Sequence, residues 1–162
     1  MKIILFSLVL LVSAVAKGAP MTQMEVIKDV FTRLRADNLD ILDSFYDPRV
    51  QFLDPLGLHD GRDSVKEYYR NLYKNVTSIS FDYTDSLSAD NNHLLVWTMN
   101  LVAPAMDGGK PVVVHGNSVI KFNEQDLVIY HRDYFDMGEF VYERVPILRW
   151  VIAKVKTRLR PH

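Results

Sequence analysis

Near Val76 the hydrophobic pattern of this chain changes its period, and that change limits the fold more than any other feature. Upstream, Met24, Ile27, Val30, Phe31 and Leu34 recur at helical spacing behind Thr22 and Glu25, a capping-box pair, which predicts a helix to about Ala36. A second, short helix is expected from a cap near Asn38 through Leu39, Leu42 and Phe45 to a stop at Pro48, with "RVQFLDP" as a short strand after it. In "GRDSVKEYYRNLYKN" the stripe Val65, Tyr68, Tyr69 and Leu72 predicts a third helix, with Ser64 and Glu67 as reciprocal caps. Downstream, "TSISFDYTDSLS", "HLLVWTMNLVA", "KPVVVHGNSVIKF" and "DLVIYHRDYFD" alternate with period two and are separated by turn-forming breaks. Helices followed by an antiparallel meander give an α+β domain in which helices cover one face of a sheet.

A chain of 162 residues, 48% hydrophobic and 24% charged, has room for one packed core. A net charge of −1 without a basic block in the body of the chain argues against nucleic-acid binding. The absence of cysteine excludes disulfides, thiolate metal sites and a cysteine nucleophile. No phosphate-binding loop, dinucleotide fingerprint or nucleophilic-serine motif occurs, so no cofactor is expected. A metal site from His59, His115, His131 and Asp133 would need side chains from both faces of the sheet, and none is expected.

The first twenty residues read as a secretory signal: Lys2, an apolar run from Ile3 to Val12, then Ala14 and Ala16 in the spacing of a cleavage site. The expected signal spans 1–16, with cleavage up to residue 20 as the outer limit, which makes the mature protein secreted or periplasmic. A start at Met21 is the rival reading and leaves it cytoplasmic. At the other end, residues 144–162 form a basic amphipathic segment. Leu148, Val151, Ile152, Val155 and Leu159 share one helical face, and Arg149, Lys154, Lys156, Arg158 and Arg160 lie around it. Such a helix either docks across the domain with its charges solvated or makes a weak contact with an anionic membrane surface.

The order of elements, with "FLDPLGLHDGRDSVKEYY" and "HRDYFD", resembles the nuclear transport factor 2-like superfamily over residues 21–143, in particular its SnoaL-like and ketosteroid-isomerase-like bacterial members. The resemblance implies a cone: a curved antiparallel sheet and three helices around an apolar pocket, in a homodimer formed through the sheet. It places Asp54 of "LDPLG" on the general base of the ketosteroid isomerases, while their Tyr and Asp oxyanion donors fall on Val30 and Ser118. "HRDYFD" is similar to the last strand of the limonene-type epoxide hydrolases and places Asp133 on their water-activating carboxylate; their Arg and second Asp fall on Met99 and Leu101. That template also turns Asp133 into the cavity, and alternation then puts His131 and Phe135 on the same face. Trp97, Met99 and Leu101 on one strand, and Val114, Gly116 and Ser118 on the next, share that inward parity, with Gly116 leaving space for a ligand.

Asp54, Asp133 and His131 are therefore the candidate catalytic residues, and Trp97, Met99, Leu101, Val114, Gly116, Ser118 and Phe135 the candidate ligand contacts. The expected activity is cofactor-free proton transfer, an isomerase or cyclase acting on a small apolar or polycyclic substrate. Holding a hydrophobic ligand without turnover is the alternative. Epoxide-hydrolase-like or dehydratase chemistry comes second, and a structural dimer with a filled pocket third.

Overall fold

The computed structural model describes residues 19–104 and 106–159, so the N-terminal signal expected over 1–16 lies outside the described residues. Helix α1 (Gln23–Arg33) starts from the capping box read in the sequence. The Thr22 hydroxyl accepts from Glu25 N at 3.3 Å, and the Glu25 carboxylate accepts from Thr22 N at 2.7 Å. The helix stops short of Ala36 because Asn38 works backwards. Its amide donates to Arg33 O at 2.7 Å and its Oδ1 accepts from Arg35 N at 2.6 Å, using groups that a further helical turn would need. The expected second helix is a single 3-10 stretch, Leu39–Asp43, which buries Leu39 and Leu42.

Strand β1 (Tyr46–Asp54) begins before the predicted strand and runs through Pro48. The proline is tolerated because the β1 pairing register breaks between Tyr46 and Gln51, so no ladder bond is demanded of it there. A tight turn leads to β2 (Gly57–Asp60), paired antiparallel with β1. Helix α2 (Arg62–Tyr73) follows and buries Val65, Tyr69 and Tyr73. It is capped by Gly61 at φ +81° without a side-chain bond, so the expected Ser64 and Glu67 cap does not form.

The meander is β3 (Ser78–Ala89), β4 (Asn92–Val102), β5 (Val112–Phe122) and β6 (Val128–Phe135). The six strands lie in the order β2-β1-β6-β5-β4-β3, in a curled sheet that does not close. The architecture is the expected α+β cone, but the sheet is mixed, because β1 pairs parallel with β6. The reason is burial: Tyr46, Val50 and Phe52 are at most 1% exposed, so β1 needs a partner on each edge, and β6 is one of the two open edges of the meander.

Two further helices end the described chain. The short α3 (Met137–Phe140) is capped by the Asp136 side chain on Gly138 N at 2.6 Å, packs on β5 and buries Phe140. The last helix, α4 (Pro146–Leu159), has no buried residue and touches the preceding 142–144 turn. The expectation that it docks across the domain is thus corrected.

Candidate functional site

Register assembles the site. Trp97 on β4 stands opposite Gly116 on β5, and Gly116 opposite Phe135 on β6; one row along, Ser118 faces Asp133, and next to it Ile120 faces His131. From the parallel side Phe52 pairs with His131. The inward side chains of these rows meet α1 and α2 around an apolar cavity lined by, among others, Phe31, Tyr69, Tyr83, Trp97, His131 and Asp133. The cavity is narrow, about 60 Å³, within about 650 Å³ of unfilled space that includes its mouth.

A hydrogen-bonded chain crosses this wall. Trp97 Nε1 donates to Ser118 Oγ at 2.8 Å, and Ser118 Oγ donates to Asp133 Oδ1 at 2.5 Å. The same carboxylate oxygen lies 2.8 Å from His131 Nε2, while His131 Nδ1 lies 2.6 Å from the Tyr46 hydroxyl. Tyr69 is buried as well. Burial holds both phenols well above their usual titration range, so Tyr46 keeps its proton and donates it to Nδ1. That fixes the imidazole as the tautomer whose Nε2–H donates to Asp133. Asp133 Oδ1 is thus held by two donors; among the described residues nothing donates to Oδ2, and the side chain is 18% exposed.

Tyr83 supplies a further polar feature of the cavity. Its hydroxyl is buried without a hydrogen-bond partner, and burial, then the Asp133 charge, pushes its pKa up to about 12. A buried hydroxyl with no partner is costly and is available to a ligand.

The candidates of the sequence divide. Asp133, His131, Trp97, Met99, Ser118 and Phe135 line the cavity. Asp54 does not: its Oδ1 accepts from Leu56 N at 2.8 Å and Gly57 N at 3.1 Å, closing the β1–β2 turn, and its Oδ2 accepts from Tyr68 at 2.7 Å. The carboxylate touches the cavity wall through Tyr68 instead of lining it. Leu101 and Val114 are buried in the core and are not among the residues that line the cavity. Gly116 leaves space, but the Trp97 indole takes it: a Cβ there would lie 2.3 Å from the ring. Sequence reasoning missed Tyr46 and Tyr83. Among the described residues no group of three or more His, Asp or Glu is placed to hold a metal ion.

Comparison with known proteins bears on this geometry. The SnoaL-like domain model matches residues 27–131. This chain belongs to the SnoaL-like family. Its fold is similar to that of a provisionally named SnoaL-like polyketide cyclase from Jannaschia sp. CCS1, with 12% identity, TM-score 0.67, and coverage of 80% of this chain and 99% of that one. A provisionally named SnoaL-like polyketide cyclase from Shewanella denitrificans OS-217 gives 14% identity, TM-score 0.63 and coverage of 73% and 93%. A nuclear transport factor 2-like protein of unknown function from Burkholderia pseudomallei K96243 gives 17%, 0.65, 77% and 99%. A search of curated proteins finds no significant match. At these identities the structural likeness speaks for the fold alone.

Proposed function

We propose that this SnoaL-like protein is a cofactor-free isomerase or cyclase whose general base is Asp133. The observation that carries the reading is the asymmetry of that carboxylate: Oδ1 is held by His131 and Ser118, and Oδ2 carries no protein donor in an apolar cavity. In this reading Oδ2 takes a proton from a carbon next to a carbonyl; the C–H bonding pair becomes a carbon–carbon double bond and the carbonyl π pair moves onto the oxygen. The Tyr83 hydroxyl, a donor without another partner, stabilises the enolate oxygen. Returning the proton to a different carbon gives an isomer; attack of the enolate carbon on a second carbonyl carbon of the same molecule closes a ring, the π pair of that carbonyl moving to its oxygen, which takes the proton back from Asp133. His131 and Tyr46 are positioning residues that hold the carboxylate and its tautomeric partner. A cavity of about 60 Å³ favours a small, compact substrate over a polycyclic one.

The same reading exports the mature chain and pairs two copies through the outer face of the sheet. Support comes from the N-terminal pattern and the family resemblance.

The test is deuterium incorporation from heavy water into small cyclic and open-chain ketones, followed by NMR. Protein-dependent exchange that vanishes in Asp133→Asn while thermal-shift binding persists supports the reading. A ketone that binds yet exchanges no faster than in buffer would leave a ligand-holding protein, the second reading, which the mainly apolar lining favours.

A further inference from the structure

Every residue of α4 is exposed except Ile152, which is half-buried. Ile147 and Leu159 are each 77% exposed and Trp150 is 60% exposed, so the helix carries its apolar residues outside the core of its own domain. At about 100° per residue, Leu148, Val151, Ile152, Val155 and Leu159 fall within an arc of about 100°. Cations border that arc on both sides: Lys154 and Arg158 along one edge, Arg149 and Lys156 along the other. Lys154 Nζ sits 4.0 Å above the Trp150 ring, and Lys156 is bound by Glu143 at the base of the helix. No acidic residue follows Glu143 in the sequence.

We propose that α4 is a docking element for an anionic lipid surface, lying in the plane of the headgroups with the Leu148–Val151–Val155–Leu159 stripe turned into the bilayer. Charge selects this occupant. A second copy of α4 laid along the stripe would bring two cationic borders together, which costs energy, whereas phosphate-bearing headgroups meet both borders with the opposite sign. An apolar stripe edged with lysine and arginine, whose stems reach up to the headgroups, suits a helix lying at the boundary of water and hydrocarbon. Fourteen residues make a rod of about 21 Å, which rests on a bilayer and does not cross it. Among the described residues no helix is long and apolar enough to span one.

The experiment is co-sedimentation of the full chain with phosphatidylcholine vesicles and with equimolar phosphatidylcholine–phosphatidylglycerol vesicles. Because the apolar run Ile3 to Val12 has lipid affinity of its own, variants are compared in the same full-length chain. Binding should favour the anionic vesicles and weaken with salt. The pair Lys154→Gln and Arg158→Gln should lower partitioning about fivefold per cation removed, and Val151→Asn with Val155→Asn should lower it on both vesicle types. All four positions are exposed, and an unchanged circular dichroism spectrum checks that the domain persists. Equal binding to both vesicle types overturns the proposal, as does partitioning unmoved by both variant pairs. Self-association in sedimentation velocity that the variants abolish, without vesicle binding, assigns the stripe to a second copy and overturns it equally.

Discussion

The indole of Trp97 occupies the space in which any side chain at residue 116 would stand. A Cβ on Gly116 would lie 2.3 Å from Cη2 and 2.5 Å from Cζ2 of that ring. In this seat Trp97 reaches Ser118 with its Nε1, so the glycine sets the first link of the chain that ends on Asp133. Gly116→Ala should push the ring into the cavity at a cost of about 1–3 kcal/mol. Urea unfolding followed by tryptophan fluorescence measures it, and ligand binding should fall in parallel.

Ser118→Ala removes a donor to Asp133 and the acceptor of a buried indole N–H together. The expected loss is about 1–3 kcal/mol of stability, because the Trp97 N–H is left unpaired. In the proposed chemistry kcat should drop more than KM rises, since the site keeps its walls while the base loses a holder. Ser118→Thr, which keeps the hydroxyl, should restore part of both.

Asp54 and Asp133 should respond differently to removal. Asp54→Ala opens the turn that its Oδ1 closes and strands the Tyr68 hydroxyl, so it should cost about 1–3 kcal/mol in denaturant unfolding and leave chemistry on bound substrate largely intact. Asp133→Asn should do the reverse: turnover is lost, and the fold survives because an amide fits the same space. A single assay series on both variants, with stability and deuterium exchange measured side by side, checks this division.

His93 gives the fold a pH dependence of its own. It is 5% exposed, with Nδ1 2.8 Å from Ser88 Oγ and Nε2 2.6 Å from Gln23 Oε1, and Phe122 edge-on; Gln23 itself donates to Asp126. Burial lowers its pKa below the unfolded value of about 6.5. Below about 6.5 the unfolded chain therefore binds the proton more readily than the folded one. Stability should be full above that pH, decline as pH falls towards the folded value, and level off beneath it. His93→Gln should flatten that part of the profile in thermal unfolding from pH 7.5 to 4.5.

Alternation was a sound guide wherever a strand stood between two neighbours. Trp97, Met99, Ser118, His131, Asp133 and Phe135 reach the cavity from three strands whose inward parity follows from "VWTMN", "HGNSV" and "YHRDYF". It carried no depth, which is why Leu101 and Val114 share that parity yet are buried in the core outside the cavity lining. Tyr46 was hidden because Pro48 reads as a stop, although Tyr46, Val50 and Phe52 keep one parity across it. Tyr83 was legible beside Ile79 and Phe81 on alternate positions, but its missing partner is a fact of three-dimensional packing. Asp54 was misplaced because Asp-Pro-x-Gly is also the chemistry of a tight turn, and here the turn claims the carboxylate. The parallel β1–β6 pairing had no local signal, since it joins segments that the chain separates by β2, α2 and the first three strands of the meander.

That pairing also sets a timetable for the nascent chain. Tyr46 and His131 are 85 residues apart, so closing the loop between them is entropically expensive and belongs late in folding. Until β6 leaves the ribosome, β1 exposes an apolar, unsatisfied edge, and a chain stalled before Val128 should be a substrate for chaperones or a seed for aggregation.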